Sequence, residues 1–216
     1  MHRKSKKPAA GAVRNPDRTR SRILAAAAGE FAAKGQAGAR VDAIAHRAGS
    51  NKRMLYHYFT DKEGLYRAVL RTKITERRTQ FEAAPGDPEE NLPFRFELMC
   101  RDQEWIRLLG WEALENKGGR VQEEQFRRKG LLRALERLRG HQVAGKLTTD
   151  HDRRHLLLAK ISLTMFPIAF PNLTRLVTGT AAKDPKFQRE YRNFLKKFAT
   201  AFRPARSPKK TKSSRI

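Results

Sequence analysis

Six basic side chains stand near expected helix starts: Arg18, Arg20 and Arg22 in a first helix, Lys52 and Arg53 in a short later one, and Lys62 in the next. A helix N-terminus already carries partial positive charge, so each cation there opposes the dipole by about 0.3 kcal/mol or more. The placement makes sense where phosphates approach the same amide-rich ends. Any one of these residues reads equally well as an ordinary solvated charge; the six together do not. Asn51, Tyr56 and His57 share an outer helix face with Lys52 and Arg53, adding hydrogen-bonding groups to the charge. The chemistry on offer is recognition of a polyanion, without covalent steps.

No catalytic constellation competes with this reading. His151 and His155 have the i, i+4 spacing of a metal pair, but HDRRH sets two arginines and no Glu between them, and the repulsion argues against a cation. Cys100 is the only cysteine, with no activating partner in view, and reads as a small core residue. GTAAKDPK lacks the second glycine and the Lys-Ser/Thr pair of a phosphate-cradling loop. No enzyme activity, metal or cofactor is expected.

Composition agrees with a nucleic-acid partner. The 47 Lys and Arg against 22 Asp and Glu leave +25, a surplus that favours nucleic acid first and an anionic membrane surface second. Residues 1–14 and 203–216 are rich in Lys, Arg, Pro and Ser and read as disordered basic arms, since they bring too little apolar surface to offset ordering. No segment approaches the roughly 20 apolar residues of a membrane span, and no apolar signal core follows the basic start. A cytoplasmic protein is expected, and a lone cysteine suits that compartment.

Apolar residues recur at three- and four-residue spacing almost throughout, so the fold should be all-α. Asn15 as cap and Pro16 in the first turn start a helix whose face carries Ile23, Leu24, Ala27, Ala28 and Phe31 and which stops at Gly35. Helices over 41–48 and 51–58 follow, separated by Gly49 and Ser50. Thr60 and Glu63 form a capping box for a long helix from Asp61 to about Phe81, and PGDP at 85–88 ends it and divides a domain at 15–84 from one at 85–202. The remainder reads as helices near 89–116, 120–140, 151–179 and 185–202, with Pro93, Pro167 and Pro171 breaking or kinking those they fall in. Within 40–59, Ala45 lets two helices approach, Gly49 supplies the turn, and Leu55 plugs the core between them. That is the spacing of a helix-turn-helix.

Residues 17–70, and most specifically the run AGSNKRMLYHYFTDKEGL, resemble the DNA-binding domain of the TetR family. The resemblance implies that Lys52, Tyr56 and His57 meet DNA from the recognition helix, Tyr56 through its hydroxyl, that Lys62 meets a phosphate and that Phe59 is packing. Two positions depart from the pattern. Arg40 stands where the family has a Thr that caps the second helix and touches phosphate, so charge would have to hold the phosphate and the cap would come from elsewhere, with Asp42 as the candidate. Ser50 replaces an apolar turn residue.

For residues 85–202 the resemblance is one of length, helicity and position, and it implies a regulatory domain. There the family dimerises through its last two long helices, here 151–179 and 185–202, and encloses a small-molecule effector. Phe94, Phe96, Met99, Trp105, Trp111, Phe126, Met165, Phe166 and Phe170 are candidate pocket walls. Two readings follow: a ligand-responsive repressor binding a palindromic double-stranded operator as a homodimer, or a nonspecific basic architectural protein held on DNA mainly by its arms.

Overall fold

The computed structural model of the chain describes residues 15–116 and 118–204. Every regular element among them is helical. Asn15 accepts the amides of Asp17 and Arg18 at 3.0 and 3.2 Å and opens α1, Pro16–Gly38. The helix kinks at Gly35, φ 71° and ψ 176°, a conformation essentially restricted to glycine, before a last turn to Gly38. Then come α2, Val41–Arg47, α3, Lys52–Phe59, and α4, Lys62–Glu82. The cap of α4 is Asp61, whose carboxylate accepts the Gly64 amide at 2.6 Å; Thr60 instead takes φ 67°, and Glu63 pairs with Arg67 at 3.2 Å. The expected Thr60 and Glu63 box is therefore replaced by a cap one residue later.

Two compact units divide within α4, at Val69 and Leu70, upstream of the Pro85 loop where the domain division was expected. In the first unit Ile23, Ala27 and Phe31 pack with Ile44, Leu55 and Leu65, all at most 1% exposed, and Phe31 meets Tyr66 edge to face. Glu30 lies on the same stripe of α1, seven residues from Ile23, and is equally buried. Its carboxylate accepts Lys34 at 2.8 Å, the Arg40 amide at 3.3 Å and Arg47 at 3.4 Å. Glu30 thus satisfies the amide of Arg40 at the entry to α2, which has no side-chain cap of its own, while the candidate cap Asp42 pairs with Lys52 at 3.4 Å.

Lys34 in particular holds the Glu30 carboxyl below its ordinary range. A depressed carboxylate stabilises the fold above the carboxylate range and loses that contribution as pH falls through its folded value. Glu30→Ala should cost about 1–3 kcal/mol, the penalty for stranding a buried donor. Thermal melts should show the gap between wild type and Glu30→Gln closing on acidification; a gap that stays constant down to pH 3 would contradict the role.

In the second unit, α5 spans Pro88–Arg101, α6 Gln103–Glu115, α7 Glu124–Val143, α8 Arg153–Ala169, α9 Pro171–Thr178 and α10 Pro185–Phe198, closed by a 3-10 turn at Ala199–Phe202. Pro93 does not break α5; it lies one turn inside the helix start, where it orphans a single carbonyl. The break in the expected 89–116 helix falls at Asp102, whose side chain leaves α5 to cap α6 at the Trp105 amide, 3.3 Å away, and to bind Lys73 and Arg77. Pro167 stays inside α8, whereas Pro171 starts α9 after an 89° bend. Leu92 and Phe96 of α5 pack against Phe187, Tyr191 and Leu195 of α10, and Cys100 lies against this cluster. The basic arm expected over 1–14 and the tail from 205 onward lie outside the described residues. Arg203, assigned to that tail, pairs with Asp87 and Glu89 at 3.2 and 2.7 Å.

Candidate nucleic-acid interface and internal cavity

The turn between α2 and α3 is built from backbone bonds, Gly49 to the His46 carbonyl at 3.0 Å and Ser50 to the Ala45 carbonyl at 2.9 Å, with Gly49 at φ 57°. Ala45 and Ala48 are buried beneath it, and Leu55 and Phe59 anchor the inner face of α3. Asn51 caps α3, its side-chain oxygen accepting the Met54 amide at 2.9 Å, so only its amide nitrogen remains to meet a partner. Lys52, Arg53, Tyr56 and His57 are exposed, and no acid occupies the first turn of α3. Lys52 is tethered to Asp42 by a half-exposed pair of the kind worth under about 1 kcal/mol, which an incoming phosphate or base can displace.

Two arginines of α1 reach the helix-turn-helix. The Arg20 guanidinium lies 5.3 Å from the Phe59 ring centre, and an Arg22 nitrogen lies beside the Gly49 turn. Arg18 is exposed at the start of α1, and Arg40 is exposed at the start of α2. Lys62 donates to the Ala37 carbonyl at 2.8 Å, which fixes its ammonium at the end of α1 with further N–H groups to spare.

In the second unit, α4 to α8 line a partly open cavity of about 320 Å³, at the lower end of the usual range for small-molecule sites. Of the candidate wall residues, Met99, Trp105 and Met165 line it. The others do not: Phe96 is in the core against Phe187 and Tyr191, Phe126 lies under Arg71, Phe166 and Phe170 form an exposed pair, and Phe94 and Trp111 are off the wall. Sequence reasoning missed the polar part of the wall, Arg77, Arg78, Arg95, Arg127 and Arg137. A signal existed, because Arg77 sits at helical spacing between Ile74 and Phe81, and Arg95 between Leu92 and Met99, on faces that are otherwise apolar.

Arg127 is bidentate to Glu112 at 2.6 and 2.9 Å, and Arg77 donates to Asp102 at 2.9 Å. Among the described residues Arg95, 8% exposed, has only Asn91 at 2.9 Å and the Phe81 ring at 4.2 Å, and burial beside Arg137 lowers its pKa to about 10. In an adjoining pocket that shares Arg95 and Arg137, burial and those two arginines push Lys160 down to about 7. Glu82 and His141 line the same pocket; the His141 imidazole is lowered too, and so changes charge below this window. An amine neutral in the fold and charged when unfolded makes stability rise with pH between the two values. The melting temperature should climb from pH 7 to pH 9 more in wild type than in Lys160→Met; parallel curves would refute the shift. His151 and His155 do not share a helix, because α8 begins at Arg153 and leaves His151 outside it.

The family model for bacterial regulatory proteins of the tetR family matches residues 23–69, and that for the tetracyclin repressor-like C-terminal domain matches residues 95–200. The HTH-type transcriptional repressor SCO4008 of Streptomyces coelicolor is 30% identical over 168 residues, 78% of this chain and 88% of its own. The HTH-type transcriptional repressor NicS of Pseudomonas putida is 31% identical over 163 residues, 69% of this chain and 76% of its own. Among solved structures, SCO4942 from Streptomyces coelicolor aligns with a TM-score of 0.71 at 27% identity, covering 85% of this chain and 97% of that one. With a helix-turn-helix matched at one end and a regulatory domain at the other, the chain belongs to the TetR family of DNA-binding transcriptional regulators, which are not enzymes.

Proposed function

We propose that the protein is a cytoplasmic repressor that binds a palindromic operator as a homodimer and releases it when a small molecule enters the cavity of the second unit. The observation that carries the reading is the outer face of α3: Lys52, Arg53, Tyr56 and His57 stand exposed there with Arg20 and Arg22 alongside. A rigid helix presenting cations and hydrogen-bonding groups can enter a major groove, while Arg18, Arg40 and Lys62, at helix ends, suit phosphates. One such unit covers only a few base pairs, so two-fold pairing and an inverted repeat follow.

The surface for that pairing is the apolar face of α8 to α10. Leu158, Phe166 and Phe170 are 61%, 45% and 55% exposed, and Phe194 and Phe198 of α10 continue an aromatic row from Phe187 and Tyr191. A second copy of the same face would bury them, which supports the pairing of 151–179 with 185–202. Selecting bound sites from random duplex DNA tests the whole reading. The expected outcome is one inverted repeat preferred over scrambled duplex by about three decades or more. Binding that follows only salt, with no preferred sequence, would mark a nonspecific phosphate binder instead.

A further inference from the structure

The charge around the cavity of the second unit does not close. Five arginines line it and, among the described residues, no Asp or Glu does. The acids just behind the wall are already engaged: Asp102 by Arg77 and Lys73, Glu112 by Arg127, and Glu82 by Arg78 and Arg137 at 4.0 and 3.9 Å. Arg95 and Lys160 have no carboxylate within ion-pair distance among the described residues. Arg95 lines the cavity and Lys160 lines an adjoining pocket that also holds Glu82; Arg137 lines both, so the shortage is concentrated where the two spaces meet. The buried Nε atoms of Arg77, Arg78 and Arg127 have no hydrogen-bond partner either. Enclosed cations without a counter-charge are costly, and natural proteins neutralise them or use them. The rest of the wall is apolar, with Phe81, Met99, Trp105, Leu109 and Met165 interleaved with the arginines.

We propose that the effector is a small amphipathic anion, a carboxylate or phosphate head held by Arg95 with Arg137 and Lys160, and an apolar body laid along Phe81, Trp105 and Met165. Arginine presents a planar fork to either head group, and enclosure by apolar walls strengthens the pairing relative to water. Phe81 stacks on the Arg95 guanidinium and fixes its plane, so the fork is set before the anion arrives. A cationic or neutral ligand of the same shape would leave the corner uncompensated. This assignment rests on the reading of the cavity as an effector site, but the chemistry of its occupant can be measured without DNA.

Calorimetric titration of the full-length dimer with decanoate, decyl phosphate, decanol and decyltrimethylammonium, each below its micellar concentration, provides that measurement. Both anions should bind at least tenfold more tightly than the alcohol and the cation, and their ratio identifies the preferred head group. Arg95→Leu should abolish the preference by weakening the anions at least tenfold while leaving decanol unchanged or tighter. Should that variant misfold, Lys160→Met is to lower anion affinity in the same direction. Equal binding of all four probes, tighter binding of the cation, anion affinity untouched by both variants, or no anion binding at millimolar concentration would each overturn the proposal. A separate titration on operator DNA keeps the two readings apart: anions that bind through Arg95 without releasing DNA would uphold the ligand chemistry and refute the regulatory role.

Discussion

A protein carrying Phe166→Glu and Phe194→Glu is expected to sediment as a folded monomer and to lose about three decades or more of operator affinity, falling toward the nonspecific level. Both rings are nearly half exposed in the protomer, so the fold tolerates the change and helical content by circular dichroism stays the same. In a two-fold interface each substitution occurs twice, placing four carboxylates in a patch that burial would otherwise make dry. A buried carboxylate without a partner costs about 3–5 kcal/mol, more than the area under a ring returns. Loss of the partner then removes half of the DNA contacts at once. A double variant that remains dimeric at micromolar concentration would locate the dimer elsewhere on the molecule.

Alanine at Lys52 or His57 should lower affinity for the selected operator by about 1–3 kcal/mol, roughly 5- to 150-fold, and change which bases are preferred. Lys62→Ala should weaken binding to every duplex alike and flatten the salt dependence by about one unit, because one fewer phosphate is neutralised. The distinction follows from position: Lys52 and His57 project from the outer face of α3, while the Lys62 ammonium is held at the end of α1 by the Ala37 carbonyl. Titrations on selected and scrambled duplexes at several salt concentrations separate the roles. Equal losses on both DNAs for all three variants would mean that none of these side chains reads sequence.

The helix-turn-helix was legible because local residues encode it. Ala45, Gly49 and Leu55 fulfil steric requirements set by neighbours within ten residues, and the structure places all three as required. The Asn15 cap and the Pro16 start were legible for the same reason. Glu30 was not, because its partners at Arg40 and Arg47 come from another helix and a lone acid in an apolar stripe resembles noise. The Asp102 break was hidden by Pro93, the stronger local signal, since only packing against Lys73 and Arg77 shows why the chain turns there. Aromatic spacing located Met99, Trp105 and Met165 in the cavity wall but equally promoted Phe96 and Phe170. Helical periodicity says that a side chain is covered, not whether protein, ligand or a second copy covers it. Arginine misled in the opposite direction, since in a chain of net charge +25 another cation reads as surface.

The uncompensated corner at Arg95 and Lys160 also bears on how such a protein evolves under selection for heat resistance. A cation held away from water without a counter-charge is costly, so a well-packed apolar replacement at either position should stabilise the empty protein. Random mutagenesis scored only on survival of heating should therefore enrich losses at these two positions, and the hardiest lineages would be those least able to distinguish an anion from an alcohol. Selection that alternates heating with a demand for induction should retain both residues and gather its stabilising changes elsewhere. On the proposed anion assignment, thermal robustness and responsiveness compete for the same two side chains.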